Sequence, residues 1–287
     1  MRKTISFTIL LLFTLALAST GIAQKRKPAR KPGSNSDFLK TQWWLGIRSG
    51  INYTNVTPLE RFPGFNPVNY DAEQLDKDYQ DFTMPAFHVG LDVTFYHAGF
   101  SISTLPTFMR HNITYTSGTA WIGDTDNERF ETDYETNQSV TFIDLPLTVK
   151  YDFLSGKIRP FLMAGGFYSF VFDANKSVNI NETDFASGAP ITYERTNINL
   201  NNRNEFVNNW GVLGGIGASF DFWNIRTVID IQYRHSFNSV VNASERYQES
   251  VFSSFGEIQD DYNITNYSGS ISFVFPLRYI DSQFKAL

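Results

Sequence analysis

Residues 143–153, with the sequence IDLPLTVKYDF, alternate strictly between apolar and polar side chains. A β-strand presents successive side chains on opposite faces, so this segment has one apolar face and one face that carries charges. The same pattern recurs about eight times, and no apolar run long enough for a membrane-spanning helix follows the N-terminal segment. Backbone groups inside a bilayer must be satisfied internally, so repeated strands of this kind predict a closed transmembrane β-barrel, apolar outside and polar inside.

The links between the alternating segments differ in length in a regular way. The predicted strands one to eight are residues 43–55, 86–96, 100–115, 143–153, 158–172, 207–220, 225–237 and 267–279. The links after strands two, four and six have about three or four residues, whereas the other four have about 20–35, as in barrels with short periplasmic turns and long extracellular loops. We therefore expect an all-β, eight-stranded antiparallel up-and-down transmembrane β-barrel over residues 42–280, with four long extracellular loops and both termini periplasmic.

The N-terminus is predicted to direct export. Residues 1–23 have a basic start, an apolar run and small residues before a cleavage site, so they read as a signal peptide that leaves Gln24 as the new N-terminus. Residues 24–41 are rich in Lys, Arg, Pro, Gly and Ser, which predicts a basic, disordered periplasmic tether. The tether is either a solvated linker or a segment that contacts anionic lipid headgroups or an acidic partner. Residues 281–287 are predicted to be a short periplasmic tail.

Strand three is the least regular of the predicted strands. Its alternation slips near Arg110, where polar and apolar side chains exchange places. An extra residue in one strand of an antiparallel pair produces such a slip. The sequence therefore predicts a β-bulge near Arg110.

A set of ionisable residues falls at inward-facing positions of the predicted strands. These residues are Arg48, His88, Asp92, Asp144, Lys150, Asp152, Asp230 and Arg234. An eight-stranded barrel is just wide enough for its own side chains, and an unpaired buried charge costs several kcal/mol. We therefore predict an enclosed salt-bridge network that fixes the cross-section of the barrel. A path for protons or ions through the network is the alternative.

Patterns that would indicate catalysis are weak. A barrel enzyme that acts on lipid A needs a His–Ser or similar pair at the outer rim, on the side that faces lipid. His235 and Ser236 depart from such a pair, because neighbouring residues on a strand point to opposite faces, and spacing places no nucleophile beside His111. The chain has no cysteine, which excludes disulfides and cysteine-based chemistry. We predict that the protein is not an enzyme.

The four long loops of the prediction are acidic. In the second, carboxylates stand at positions 1, 3, 5 and 12 of a calcium-loop pattern: Asp124, Asp126, Glu128 and Glu135. Position six needs glycine for a sharp turn and holds Arg129 instead. We interpret these loops as solvated surface, with divalent cations shared with lipopolysaccharide as the alternative, and expect no cofactor.

Five segments resemble an outer-membrane β-barrel domain that is common in Bacteroidota. They are WWLGIRSGINYTNV, IDLPLTVKYDF, KIRPFLMAGGFYSF, WGVLGGIGASFDF and SGSISFVFPLRY. This group includes PorT-like and "porin family" proteins, and the small OmpA/OmpX-type barrels are similar more distantly. The resemblance covers nearly the whole mature chain and implies barrel architecture. Some members act in type IX secretion or gliding, and most have no assigned role.

The expected function follows from architecture and resemblance together. We expect a non-enzymatic protein of the outer membrane of a Gram-negative bacterium, a structural or accessory component of an outer-membrane assembly that could serve secretion. The alternatives are a lipid A-modifying, deacylase-like enzyme and a narrow pore. The expected partners are outer-membrane lipid, lipopolysaccharide and proteins of an outer-membrane complex, and no nucleic acid is expected.

Overall fold

The structure is a computed structural model of the chain. It describes residues 41–62, 77–124, 128–186, 189–194, 197–222, 225–246 and 258–277. The predicted signal peptide, the tether before Thr41 and the C-terminal tail lie outside the described residues. Among the residues described, no helix is both long and apolar enough to cross a membrane.

Within these ranges the chain forms twelve β-strands and two short 3-10 helices. The strands are β1 (Gln42–Glu60), β2 (Asp78–Gln80), β3 (Ala86–His97), β4 (Phe100–Thr104), β5 (Thr107–Ile122), β6 (Arg129–Asp152), β7 (Ile158–Asp184), β8 (Ile191–Glu194), β9 (Ile198–Asn201), β10 (Asn209–Phe222), β11 (Ile225–Ser236) and β12 (Asp261–Pro276). The 3-10 helices are Arg203–Glu205 and Ala243–Glu245.

The strands close into a ring of antiparallel neighbours. Starting at β1, the pairing order is β1, β3, β4, β6, β7, β10, β11 and β12, and β12 pairs with β1 again. Over the part of the chain described, eight strands therefore form the ring, which confirms the predicted fold class. The strands β2, β8 and β9 lie off this ring, paired with β5 or β7.

Predicted strand three crosses the barrel wall once, as two consecutive strands on either side of Pro106. Its two halves, β4 and β5, pair with β3 and β6 without a change of register. Proline lacks an N–H, so the ladder has a gap there, and the Pro106 carbonyl accepts from Leu91 N–H at 2.9 Å. The predicted bulge near Arg110 is wrong. One register shift lies at Thr141/Phe142 in the β6–β7 ladder, where β7 holds the extra residue, Phe172, and another lies at Pro58/Glu60 in the β1–β12 ladder.

Several strands are longer than the sequence predicts. The sequence predicts that strand four begins at Ile143, but β6 begins at Arg129. It predicts that strand five ends at Phe172, but β7 ends at Asp184. The second long loop is therefore a short connection, residues 123–128, between β5 and β6. Many residues that the sequence assigns to loops instead lengthen the strands beyond the segments that have an apolar outer face.

Two zones differ in which face is apolar. In the apolar-walled zone, large apolar side chains point outward, such as Phe87 at 73% exposure and Leu147 at 62%, while polar side chains point inward. In the projecting zone, where the strands extend toward the long connections, the interior holds an apolar cluster together with buried polar side chains such as Gln138 and Lys176. We call this apolar cluster the upper cluster: Val56, Ile113, Tyr115, Val140, Phe142, Val171, Ala174, Phe206, Val240, Val241, Tyr262 and Ile264.

Candidate functional site

The predicted inward-facing residues lie in the apolar-walled zone, on β1, β3, β6 and β11. The structure buries seven of them: Arg48, His88, Asp92, Asp144, Lys150, Asp230 and Arg234. The eighth, Asp152, lies at the end of β6 and its side chain is 7% exposed. Seven of these side chains form ion pairs at successive levels of the barrel, and His88 lies within hydrogen-bond distance of Ser270 at the central level.

Arg48 and Asp230 form the central pair. The Arg48 Nη1 and Nη2 groups donate to the two carboxylate oxygens of Asp230, at 3.2 and 2.8 Å. Nη2 also donates to Ser270 Oγ at 2.6 Å, and His88 Nε2 lies 2.9 Å from the same hydroxyl. A bidentate pair with further hydrogen bonds offsets much of the desolvation that burial of both charges costs.

The next level toward the projecting zone holds Arg234 and Asp144. Arg234 Nη1 donates to Asp144 Oδ2 at 2.5 Å. Gln232 connects this pair to the central one, because its Nε2 donates to Asp230 Oδ1 at 2.8 Å and its Oε1 accepts from Arg234 Nη2 at 3.3 Å. The two levels therefore form one hydrogen-bonded network.

The level on the other side of the centre holds Asp92 and Lys150. The Lys150 Nζ lies 3.9 Å from Asp92 Oδ2, and Thr94 Oγ1 donates to Asp92 Oδ1 at 2.5 Å. The ammonium also lies 5.7 Å from the ring centre of Phe161. This looser pair is supported by a hydroxyl and an aromatic face.

The end of the barrel at the short turns contains charged residues that the predicted network omitted. Arg159 contacts Asp152 at 3.1 Å and Asp221 at 2.5 Å, and Arg226 Nε donates to Asp221 Oδ1 at 2.9 Å. The Arg226 guanidinium stacks 4.0 Å from the Trp44 ring centre. Period-two alternation from Ile158 places Arg159 on the inner face, so this signal could have found it.

The interior charges balance. Among the described residues of the apolar-walled zone, five cations (Arg48, Lys150, Arg159, Arg226 and Arg234) face five carboxylates (Asp92, Asp144, Asp152, Asp221 and Asp230). Two small cavities beside these levels measure about 20 Å³ each. That is the room of about one water molecule.

The upper cluster closes the interior above the charged levels. Val140 and Tyr262 have no exposed surface, and Phe142 has 1%. Beyond the cluster, the Asp260 carboxylate accepts from Tyr79 Oη at 3.0 Å, from Lys77 Nζ at 3.1 Å and from Phe62 N–H at 2.8 Å. An apolar layer and a tied loop therefore lie between the charged interior and the far end of the barrel.

The two residues of the weak enzyme pattern lie on opposite faces of β11. Ser236 is buried, and its hydroxyl bonds the backbone of Ile264, donating to the carbonyl at 3.2 Å and accepting from the N–H at 2.8 Å. His235 is half-buried on the outer face, with Nδ1 3.0 Å from Thr265 Oγ1. His111, on the inner face of β5, lies 3.1 Å from Thr54 Oγ1. No shared reaction centre joins these described side chains.

The calcium-loop pattern does not assemble in the described part of the second connection. Asp124 N–H donates to Glu128 Oε2 at 3.2 Å, so Glu128 caps the turn, and Glu135 lies on β6 opposite Thr116. Asp126 is outside the described residues. The described portion of the chain contains no group of three or more His, Cys, Asp or Glu side chains that could hold a metal ion.

A closed antiparallel ring with an apolar exterior and a charge-paired polar interior defines a transmembrane β-barrel. The family described as "Outer membrane protein beta-barrel domain" matches residues 22–242, which is more than half of the chain. The chain belongs to this family, and its location is the outer membrane. No functionally curated protein matches it.

Solved outer-membrane proteins are similar at low sequence identity. Neisserial surface protein A is 9% identical with a TM-score of 0.32, and 79% of this chain covers 95% of that one. The attachment invasion locus protein Ail of Yersinia pestis is 10% identical with a TM-score of 0.28, covering 82% and 99%. The outer membrane protease OmpT from Escherichia coli is 9% identical with a TM-score of 0.30, covering 88% and 99%. Similarity at this level carries no inference about activity or ligands.

Proposed function

We propose that the protein is a non-enzymatic structural or accessory component of an outer-membrane assembly, and that it acts through its outer surfaces. The observation that carries this proposal is the filled interior. Paired charges occupy the apolar-walled zone, and the upper cluster seals it. The parts of such a barrel that other molecules can contact are its lipid-facing wall, the projecting sheet and its termini.

The proposed orientation puts both termini in the periplasm and the projecting zone outside the cell. The short connections after β3 and β6 lie at the end where β1 starts and β12 stops, and the long strands β6 and β7 extend from the other end. Barrels of this class have short periplasmic turns. The tether predicted over residues 24–41 would then lie on the periplasmic side, available to an acidic partner.

The proposed assembly is one that serves secretion in a bacterium of the Bacteroidota. This finer proposal is supported by the resemblance of five strand segments to PorT-like proteins, some of which act in type IX secretion or gliding. A deacylase-like enzyme is less well supported, because Ser236 is buried and bonds Ile264 backbone rather than a histidine. A narrow pore is less well supported, because Phe142 and Tyr262 close the interior.

Affinity purification after cross-linking in intact cells tests the proposal. A tag that follows Leu287 should recover the same protein partners in repeated experiments, and it should be inaccessible to antibody outside the cell. A tag inserted between Gly123 and Asp124 should be accessible. A control barrel of equal abundance should recover none of the partners.

Three outcomes would contradict the proposal. Recovery of lipid without any protein partner would contradict the proposed accessory role. A change in the acyl chains of lipid A when the protein is expressed would establish an enzyme. Stable single-channel conductance in a planar bilayer would establish a pore.

A further inference from the structure

The outer wall changes character just beyond Phe172, the last large apolar side chain on the outer face of β7. Further along, outward positions of β7 and its neighbours β6 and β9 carry a patch of asparagine and serine side chains. We call this surface the amide face: Asn137, Asn175, Ser177, Asn179, Asn199 and Asn201. These side chains are half-buried or exposed, whereas Val178 and Ile180, which alternate with them on β7, are buried.

The register of the strands arranges the amide face in rows. Asn137, Ser177 and Asn199 lie side by side across β6, β7 and β9, and in the adjacent row Asn175 lies opposite Asn201. Neighbouring strands are about 4.8 Å apart, and positions on the same face of one strand are about 6.7 Å apart. The polar groups therefore form a flat grid whose spacing is comparable with the length of one sugar ring.

The fold does not require asparagine at these positions. Asparagine is depleted in strands, because β-branched and aromatic side chains pack better on a pleated surface. A face that had only to be soluble would carry mixed charges. Asp173 and Glu135 border the amide face, but its six positions carry no charge and no apolar side chain. It therefore lacks the apolar anchors of a protein interface, and its composition favours a ligand that amide groups recognise.

Hydrogen bonds hold several of the amides in place. The Asp173 carboxylate accepts from Asn175 Nδ2 at 2.7 Å and from Asn201 Nδ2 at 2.6 Å. Asn197 Nδ2 donates to Asn179 Oδ1 at 2.5 Å. Side chains that their neighbours already hold lose less conformational entropy when a ligand binds.

Other amide groups are free to contact a ligand. Among the described residues, the Asn199 side chain makes no hydrogen bond, and Asn137 uses only its Oδ1, which accepts from Thr114 Oγ1 at 3.0 Å. These two side chains stand on either side of Ser177 in one row. A side-chain amide presents an acceptor and a donor next to each other. That pair matches two neighbouring hydroxyl groups of a sugar.

The amide face lies directly above the apolar wall. The Phe172 ring is 53% exposed and packs against Phe108, with ring centres 5.0 Å apart, at the upper edge of that wall. From position 173 to position 179, β7 rises about 20 Å, which at a tilt of about 45° is about 14 Å along the membrane normal. In the proposed orientation this is the layer just outside the acyl chains, where lipopolysaccharide carries its sugars.

We propose that the amide face binds the saccharide part of lipopolysaccharide in the surrounding outer leaflet. Asn137 and Asn199 bind sugar hydroxyl groups through their free amide groups, while Asp173 holds the neighbouring amides in position. This inference rests on the orientation given under the proposed function, which puts the projecting zone outside the cell. It does not depend on any protein partner.

Titration of the purified full-length protein in detergent with lipopolysaccharide saccharide tests the proposal. The saccharide is released from lipid A by mild acid, so that lipid does not contribute to binding, and saturation-transfer NMR gives the dissociation constant. Asn137→Val combined with Asn199→Val should weaken binding about tenfold, as expected for the loss of two neutral hydrogen bonds. Because valine favours strands, the urea midpoint of this double variant should be unchanged or higher, so weaker binding would not reflect unfolding.

Asn55→Val is the matched control. Asn55 also faces outward, on β1 next to Thr265, and β1 lies on the opposite side of the ring from β7. This variant should bind the saccharide as the unaltered protein does. Equal binding by the double variant and the unaltered protein would overturn the proposal, and so would an equal loss in Asn55→Val.

Further outcomes would assign the amide face to another occupant. Dextran that binds as tightly as the lipopolysaccharide saccharide would assign it to polysaccharide in general and contradict the proposal. Loss of cross-linked protein partners in the double variant, with no saccharide binding by the unaltered protein, would assign it to a protein. Saccharide binding without any protein partner would contradict the accessory role alone, so the two proposals can fail separately.

Discussion

The same strands pass through two opposite environments. In the apolar-walled zone, β6 turns Leu147 outward and Asp144 inward, whereas in the projecting zone the same strand turns Glu135 outward and Val140 inward. The phase of the side chains does not change along β6; the polarity of the two faces does. One strand can therefore cross from lipid into water without a turn, provided that its apolar residues exchange faces where the membrane ends.

The two zones are also stabilised differently. In the apolar-walled zone the interior is held by ion pairs such as Arg48–Asp230, and lipid covers the outer wall. In the projecting zone the interior holds the apolar upper cluster, with Tyr79 packed 5.1 Å from Tyr115 and 5.9 Å from Tyr262, and also buried polar side chains such as Gln138 and Lys176. Apolar side chains of the second zone are removed from water by the protein itself, whereas those of the first zone are removed from water by lipid.

The largest expected effect is the removal of one member of a buried ion pair in the apolar-walled zone. Asp144→Ala leaves the Arg234 guanidinium, which is 3% exposed, without its carboxylate. An uncompensated buried charge should destabilise the folded barrel by about 3–5 kcal/mol. Chemical unfolding of the protein in lipid vesicles measures this change.

A double-mutant cycle separates the stranded charge from the loss of packing. Arg234→Met combined with Asp144→Ala removes the pair together, so the double variant should be more stable than Asp144→Ala alone. An Asp144→Ala protein as stable as the unaltered one would show that bulk water reaches Arg234, and the enclosed, charge-paired interior of this zone would be disproved.

A smaller effect is expected from a charge placed on the outer face, and its size should depend on the zone. Leu147→Arg puts a cation on the lipid-facing wall, where this costs about 2–4 kcal/mol near the bilayer midplane. Glu135→Arg, at the same face of β6 in the projecting zone, should change stability by less than about 0.5 kcal/mol because the site is in water. Unfolding in vesicles of both variants compares the zones directly, and equal costs would show that the boundary lies elsewhere.

The sequence predicted the faces of the strands better than their ends or their partners. Alternation with an apolar outer face marks a strand inside the membrane, so it identified residues 143–153 but missed residues 129–142 of β6, where the outer face is polar. The apparent slip at Arg110 has the same cause. Met109 and Ile113 point inward and Arg110 points outward, in phase with the rest of predicted strand three.

The pairing within the interior could not be predicted for a different reason. Period two says that Arg48 and Asp230 both face inward, but not that they lie at one level. Their contact depends on the registers of β1 and β11 against β12, which bring Arg48 opposite Ser272 and Asp230 opposite Ser270. Those registers are a property of the closed ring, so the candidate site follows from the sequence as a set of residues and not as a set of pairs.

The smallest expected effect comes from an ion pair on the outside of the projecting zone. Arg129 contacts Glu131, and the two side chains are 44% and 28% exposed. Water screens such a pair, and fixing two long side chains costs entropy, so Glu131→Gln should destabilise the protein by at most about 0.5 kcal/mol. The same unfolding measurement, repeated at low and high salt, should give values that differ little from the unaltered protein. Because Asp144→Ala removes the same kind of charge from the interior, a cost for Glu131→Gln near that of Asp144→Ala would mean that burial does not set the strength of these pairs, and the contrast between the zones would have to rest on hydrophobic packing alone.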